Sequence, residues 1–402
     1  MRTGIQTFHG PRLTQARAAR AMTQTALARA CGVSCASISK WERGEQFPAF
    51  ATLEKVAVAL EVPTAWFLQP LPAFGPERCF FRSQASTAAL SRGVAQTRLE
   101  WLYELSQIIQ EWVAWPTLTL PARLTRSEAL SLQDAEIEAL AMQCRTCWRL
   151  GQGPIDDVLR AMEGAGIVVT RSALGLLKMD GASRWFSAEG RPYVFLCADK
   201  GSAARGRFDA AHELGHILMH GALNEAEHLQ HHHELERQAH LFASAFLLPA
   251  ESVASALAHP TLDALLALKS RWKVSIAALI MRARSLELID EAYATRLWKN
   301  YSARGWRKGE PLDEAWPQET PYLMPRAIRL LLNDGGFSKA RLLSTLGLAA
   351  ADVETLCALP EGFFSADSAK VLPFQGPSLR PVSTPRPADA PGQLLSWPGH
   401  GT

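Results

Sequence analysis

Apolar residues recur at spacings of three and four through most of the chain, and at alternate or consecutive positions only in one short central stretch. The first pattern places one face of a helix against a core, and the second fits a strand. Residues 11–68 read as a compact run of short helices, closed by Gln69-Pro70-Leu71-Pro72 and Gly75-Pro76, which break the pattern. Helical spacing resumes from about 85 to 163, through Leu99, Leu102, Leu105, Ile108 and Ile109. Pro116 and Pro121 interrupt it, and a second helix runs past Ile137, Leu140 and Met142 to Trp148, ending near Gly151. The period then changes. Gly166–Thr170, residues 182–187 around Trp185-Phe186, and Tyr193–Cys197 predict three strands, with Gly190, Arg191 and Pro192 turning between the last two. Helices are predicted again over about 207–220, over 233–247 with a stop at Pro249, and within 251–299 and 322–358. The proline-rich stretch 371–402 reads as a disordered tail. The fold class predicted is mainly α with a small β-sheet, an α+β protein.

Charge adds little globally and more locally. The net charge of +3 does not imply nucleic-acid binding by itself. Residues 1–68, however, carry eight Lys/Arg against four Glu, which suits a phosphate-facing surface and equally a basic surface kept for solubility. The seven cysteines are odd in number and scattered, as expected of reduced thiols in a reducing compartment. No stretch reaches the roughly 20 apolar residues that span a bilayer, and the opening segment lacks a signal-peptide pattern. A cytoplasmic protein without a membrane partner is expected.

The clearest chemistry is His212-Glu213-Leu214-Gly215-His216. Histidines four residues apart on a helix stack on one face, within reach of a single ion, and Glu213 can then serve as general base toward a metal-activated water. A third ligand is needed. Glu236, one turn ahead of the apolar face formed by Ala239, Phe242, Ala243, Phe246 and Leu247, can project toward the first helix if Gly221–His233 reverses the chain as a loop. His228, His231, His232 and His233 in that stretch suit either metal steering or a solvated mobile loop, and the loop is the stronger expectation. Tyr193–Cys197 is expected either as the edge strand of the sheet, where a substrate backbone adds, or as a core strand with no ligand.

Residues 205–220, Arg-Gly-Arg-Phe-Asp-Ala-Ala-His-Glu-Leu-Gly-His-Ile-Leu-Met-His, followed by Glu236-x-x-Ala239-x-x-Phe242-Ala243-x-x-x-Leu247-Leu248-Pro249, resemble the ImmA/IrrE-type metallopeptidases. The resemblance implies a zincin-like domain with a short twisted sheet. It implies Zn2+ held by His212, His216 and Glu236, with Glu213 as catalytic base. His240 stands where that family usually has a smaller polar residue, so it is open as a partner of the ligands or a competing ligand. His220 is expected to support the ligands rather than bind the ion.

Thr23-Gln24-x-x-Leu27-Ala28-x-x-x-Gly32-Val33-Ser34-x-x-x-Ile38-Ser39-x-x-Glu42-x-Gly44 has the spacing of a tight helix-turn-helix, with Thr23 and Ser34 as caps and Gly32 in the turn. It resembles the Xre/Cro/C1-type repressor domain over residues 12–68. That resemblance implies that Cys35, Ala36, Ser39 and Lys40 face bases, that Gln24, Ser37 and Arg43 face phosphates, and that Arg17 and Glu42 form an internal ion pair. The competing reading is a helical bundle that grips another protein. A second such pattern, Leu268-Lys269-x-Arg271-Trp272-x-Val274-Ser275-Ile276-x-Ala278-Leu279 with Arg282 and Arg284 behind it, is expected to be a closing helical unit. Cys144-Arg145-Thr146-Cys147 is expected to supply packing thiols.

The organisation expected is a five-helix helix-turn-helix domain (1–70), a linker with connecting helices (71–125), a zinc metallopeptidase domain (126–290), a helical C-terminal region (291–370) and the tail (371–402). Such a chain would bind double-stranded operator DNA, as a homodimer if it matches paired half-sites. It would hydrolyse peptide bonds in a protein substrate such as a repressor, within a stress, mobile-element or phage-defence response. The alternative is a non-catalytic DNA-binding regulator or toxin–antitoxin component that uses the zinc fold as a sensor.

Overall fold

A computed structural model describes residues 4–75, 79–82, 89–173, 175, 179–199 and 202–365; the proline-rich segment 371–402, expected as a disordered tail, lies outside them. The N-terminal helices are α1 (Gly10–Ala19), α2 (Gln24–Cys31), α3 (Cys35–Glu42) and α4 (Phe50–Leu60), followed by a 3-10 helix over Thr64–Leu68. Their ends follow from the sequence. Thr23 Oγ1 accepts the Ala26 N–H at 3.1 Å, and Ser34 Oγ accepts the Ser37 N–H at 3.1 Å. Gly32 takes the left-handed turn at φ 68°. Arg17 Nε donates to Glu42 Oε1 at 2.7 Å, the expected internal pair.

Next come β1 (Cys79–Arg82), α5 (Ala89–Gln110), α6 (Arg126–Ser131), α7 (Asp134–Cys147) and α8 (Val158–Gly164). The remaining strands are β2 (Val168–Ser172), β3 (Gly181–Phe186) and β4 (Arg191–Cys197). After them run α9 (Ala203–Met219), α10 (Glu225–Leu247), α11 (Ala250–Leu257), α12 (Leu262–Trp272), α13 (Ile276–Ser285) and α14 (Glu291–Ala303). The last helices are α15 (Leu323–Asn333), α16 (Lys339–Leu346) and α17 (Ala350–Leu356). The chain is mainly helical with one small sheet, an α+β protein. Among the described residues no single helix is long and apolar enough to cross a membrane.

The sheet order is β1-β3-β4-β2, with β4 antiparallel to β3 and parallel to β2. Tyr193–Cys197 is therefore an interior strand: of the two expectations, the core strand holds and the substrate-binding edge is corrected. Its run of apolar residues has a reason: Tyr193 and Phe195 face one core, and Val194 and Leu196 face another. Strands buried on both sides read as continuous hydrophobic runs.

The first core joins Leu13, Leu27, Ile38 and Phe67 of the N-terminal helices to Leu99 and Leu102 of α5, one sheet face, and Ile328 and Val353 near the C-terminus. Polar contacts stitch the same layers together. Arg12 Nη1 donates to Glu104 (2.8 Å), and Gln15 Nε2 to Glu100 Oε2 (2.8 Å). Arg20 reaches Asp352 on α17 with two bonds of 2.8 and 2.6 Å. The second core lies under the other sheet face and packs α7 and α9 to α14 together through Leu214, Ile217, Phe242, Phe246, Leu279 and Tyr301. Gly215 permits the closest approach of α9 and α10: a Cβ there would meet the Phe242 ring at 3.2 Å.

Candidate metal centre and helix-turn-helix surface

Helix α9 runs beneath the sheet and carries His212, Glu213 and His216, all buried. Helix α10 returns beside it and brings Glu236 to both histidines. His212 Nε2 and His216 Nε2 lie 3.0 Å apart, and the Glu236 carboxylate is 3.4 Å from the first and 3.3 Å from the second. Among the described residues this trio is the one group of three or more His, Cys, Asp or Glu whose ligand atoms lie in mutual reach, all within 4.8 Å. Two imidazole nitrogens and a carboxylate oxygen converging on one point form the donor set of a zinc site. Burial opposes ionisation of Glu236, yet the two histidines that face it hold its carboxyl well below the usual carboxylate range.

A hydrogen-bond chain sets the tautomers behind the site. Gln238 Nε2 donates to Glu234 Oε1 (3.3 Å), which turns Gln238 Oε1 toward His220 Nε2 at 2.9 Å. His220 then donates from Nε2 and accepts at Nδ1 from His216 Nδ1, 2.8 Å away. That assignment leaves the His216 Nε2 lone pair aimed at the trio's centre, the usual work of a partner behind a metal-binding histidine. Burial, and then the neighbouring His216, push the His220 pKa well below the ordinary histidine value, so this ring is neutral. His240, whose role the sequence left open, stacks edge-on to His212 at 4.6 Å while its Nδ1 meets the Glu236 carbonyl at 2.7 Å. It stands outside the converging trio and lines an open cleft of about 1130 Å³.

Glu213 is oriented by two residues of strand β3, Gly181 and Ser183, whose part in the site the sequence did not flag. Ser183 Oγ donates to Glu213 Oε2 at 2.7 Å. A Cβ at Gly181 would lie 2.9 Å from Glu213 Oε1, so glycine is what leaves room for the carboxylate. Both residues precede Glu213 by about 30 positions, and the fold of the sheet over α9 brings them to it. Strand β1 was missed as well. Its Phe80 ring stacks on His216 with centroids 5.5 Å apart and an interplanar angle of 13°.

Residues 162–284 match a peptidase-family model, the IrrE N-terminal-like domain. Residues 13–67 match the helix-turn-helix family model, and no curated protein matches the chain. The chain thus joins a helix-turn-helix domain to a peptidase-family domain.

Within the IrrE N-terminal-like domain, one expectation is corrected. The histidine-rich stretch is not a mobile loop: α10 begins at Glu225, and Asn224 and Glu227 form its capping box. His228 is half-buried, set edge-on to Phe80 at 4.7 Å, and burial followed by His216 lowers its pKa to about 4. The segment from Ser302 to Glu310, given no role by sequence, is structural. Glu310 accepts the N–H groups of Ile276 (2.7 Å) and Ala277 (3.0 Å), and Tyr301 Oη donates to it at 2.9 Å. Cys144 is buried and Cys147 exposed on α7, both free thiols.

In the helix-turn-helix domain, Cys35, Ala36, Lys40 and Arg43 are exposed along α3, and Ser37 and Ser39 are half-buried beside them. Arg43 pairs with Glu45 and also reaches Ser39. Gln24 is drawn inward: its Nε2 donates to Glu42 Oε2 at 2.6 Å, extending the Arg17–Glu42 pair.

Proposed function

We propose that this protein is a DNA-binding regulator with zinc metallopeptidase activity directed at a partner protein, such as a repressor. The observation that carries the reading is the convergence of His212, His216 and Glu236 next to the buried, oriented carboxylate of Glu213. His212, His216 and Glu236 would hold the zinc, and His220 with Gln238 would fix the His216 ring. A bound zinc ion supplies Lewis-acid polarisation of a scissile carbonyl and lowers the pKa of a water nucleophile. Glu213 is the base: Ser183 holds Oε2, and Oε1 is assigned to take the proton from the attacking water and return it to the leaving amine. Operator DNA is assigned to α3, with Cys35, Ala36, Ser39 and Lys40 toward the bases and Ser37 and Arg43 toward phosphates. Gln24 acts there indirectly, by bracing Glu42. Seven free thiols suit a reducing cytoplasm.

The deciding experiment pairs metal content with proteolysis of candidate partners. Glu213→Gln should retain zinc and lose cleavage by about 10²- to 10⁴-fold, the usual contribution of a general base. His216→Ala should lose zinc. Full proteolysis by a zinc-loaded Glu213→Gln protein would sink the peptidase reading.

A further inference from the structure

The free side of β3 is where a sheet could hold an extended peptide over the metal trio, because β3 is the strand that contacts Glu213. That side is filled by the chain itself. Strand β1 pairs antiparallel with β3, Phe80 opposite Ser183 and Arg82 opposite Gly181, so alternate positions of β1 face α9. Phe80 uses this position to stack on His216 and to meet His228 edge-on. Cys79 and Phe81 point the other way, into the core shared with α5. A four-residue extended segment thus crosses the front of the centre with one aromatic side chain over a proposed ligand. Main-chain pairing at a sheet edge, with alternate side chains in pockets, is how sheets bind peptides.

We propose that β1 is an internal occupant of the substrate's strand position, and that a protein substrate enters by displacing it with an extended segment bearing an aromatic or bulky apolar residue where Phe80 lies. The proposal rests on the peptidase reading of the same site and adds its regulation and substrate class. Two features make β1 exchangeable. Among the described residues it pairs with β3 alone, and Cys79, Phe80 and Phe81 are half-buried, whereas every position of β4 from Pro192 to Cys197 is buried. Short edge segments with few buried contacts open at the low end of a protein's local stabilities. A catalytic zinc site also needs an accessible fourth position, and the Phe80 ring lies on the face of one of the proposed ligands.

The test uses the full chain and two variants. Phe80→Ala removes the ring over His216. Arg184→Cys faces native Cys79 directly across the β1–β3 pair, on the side away from α9, at a spacing that antiparallel partners and disulfides share. Oxidation with diamide then locks β1 in place, and reduction releases it. Hydrogen–deuterium exchange of residues 181–186, measured without metal, should be about tenfold faster in Phe80→Ala than in the wild type, as expected if the ring holds β1 closed. With zinc loaded, a peptidyl hydroxamate carrying a phenylalanyl side chain should bind Phe80→Ala about tenfold more tightly than the wild type. It should fail to bind oxidised Arg184→Cys and bind again after reduction. Equal hydroxamate affinity in the oxidised and reduced forms would overturn the proposal. So would wild-type exchange in Phe80→Ala, which decides alone if the chain takes up no zinc. If the lock gates hydroxamate binding but Glu213→Gln cleaves normally, the occupancy of the edge stands and the peptidase reading fails.

Discussion

Two regions of the molecule share one sequence grammar and do different things with it. In α2–α3, Thr23 and Ser34 cap the helices and Gly32 makes the turn; in α12–α13, Thr261 and Ser275 cap, and Lys273 makes the turn at φ 55°. The cations separate them. Lys40 is exposed on α3. Lys269 and Arg282 are fully buried, Lys269 on Glu310 (2.8 Å) and Asp313 (2.5 Å), and Arg282 on Glu138 (2.9 Å) and the Leu248 carbonyl (3.0 Å). The helix N-termini differ too. Cys35 and Ala36 open α3 to solvent, whereas Glu310 closes the first N–H groups of α13 from inside. A reading helix needs that end facing a groove. The motif specifies a helix pair; only the surroundings decide whether a nucleic acid can reach it.

The comparison can be broken at three points. Arg282→Ala leaves Glu138 and the Leu248 carbonyl short of a donor, and should lower unfolding stability by about 3 kcal/mol in a urea titration. DNA affinity per folded molecule should be unchanged; a specific loss of operator binding would place α13 in the interface after all. Lys40→Ala should leave the urea midpoint within error, weaken operator binding several-fold and reduce the slope of log K against log salt by about 1. An unchanged gel-shift titration would remove α3 from the groove. The caps should differ more subtly. Ser275→Ala strands the Ala278 N–H at a half-buried end and should cost about 1 kcal/mol, while Ser34→Ala, at an exposed cap where water can substitute, should cost about 0.5 kcal/mol. Equal costs would mean the two ends are equally solvated.

Much of this was legible in the sequence because it is local. Caps, the turn glycine, the His212–His216 spacing and the Arg17–Glu42 pair all depend on residues within one or two helices. Glu236 was legible because its helix carries its own apolar stripe. The errors came from features whose meaning is set by distant partners. Tyr193–Cys197 was left open between an edge and a core strand, although its unbroken apolar run is what a strand buried on both faces requires. The histidine-rich stretch was read as a loop from its polarity, against the Asn224-x-x-Glu227 signal of a helix start. Strand β1, four residues beside Pro and Gly, has no period of its own. Its place exists because β3 offers an edge, and Phe80 enters the site by that pairing.

The Glu100 carboxylate carries a further consequence. It accepts from Gln15 on α1 (2.8 Å) through one oxygen and from Arg184 on β3 (3.2 Å) through the other. One buried side chain is thus shared property of the proposed DNA-reading half and the strand above Glu213, with Leu99 and Leu102 buried in the core that spans the joint. In evolutionary terms the two halves are no longer interchangeable cassettes. A helix-turn-helix grafted from elsewhere would have to bring a donor for Glu100, another for Glu104 and an apolar surface shaped to α5, so sequence change on either side of the joint is answerable to the other.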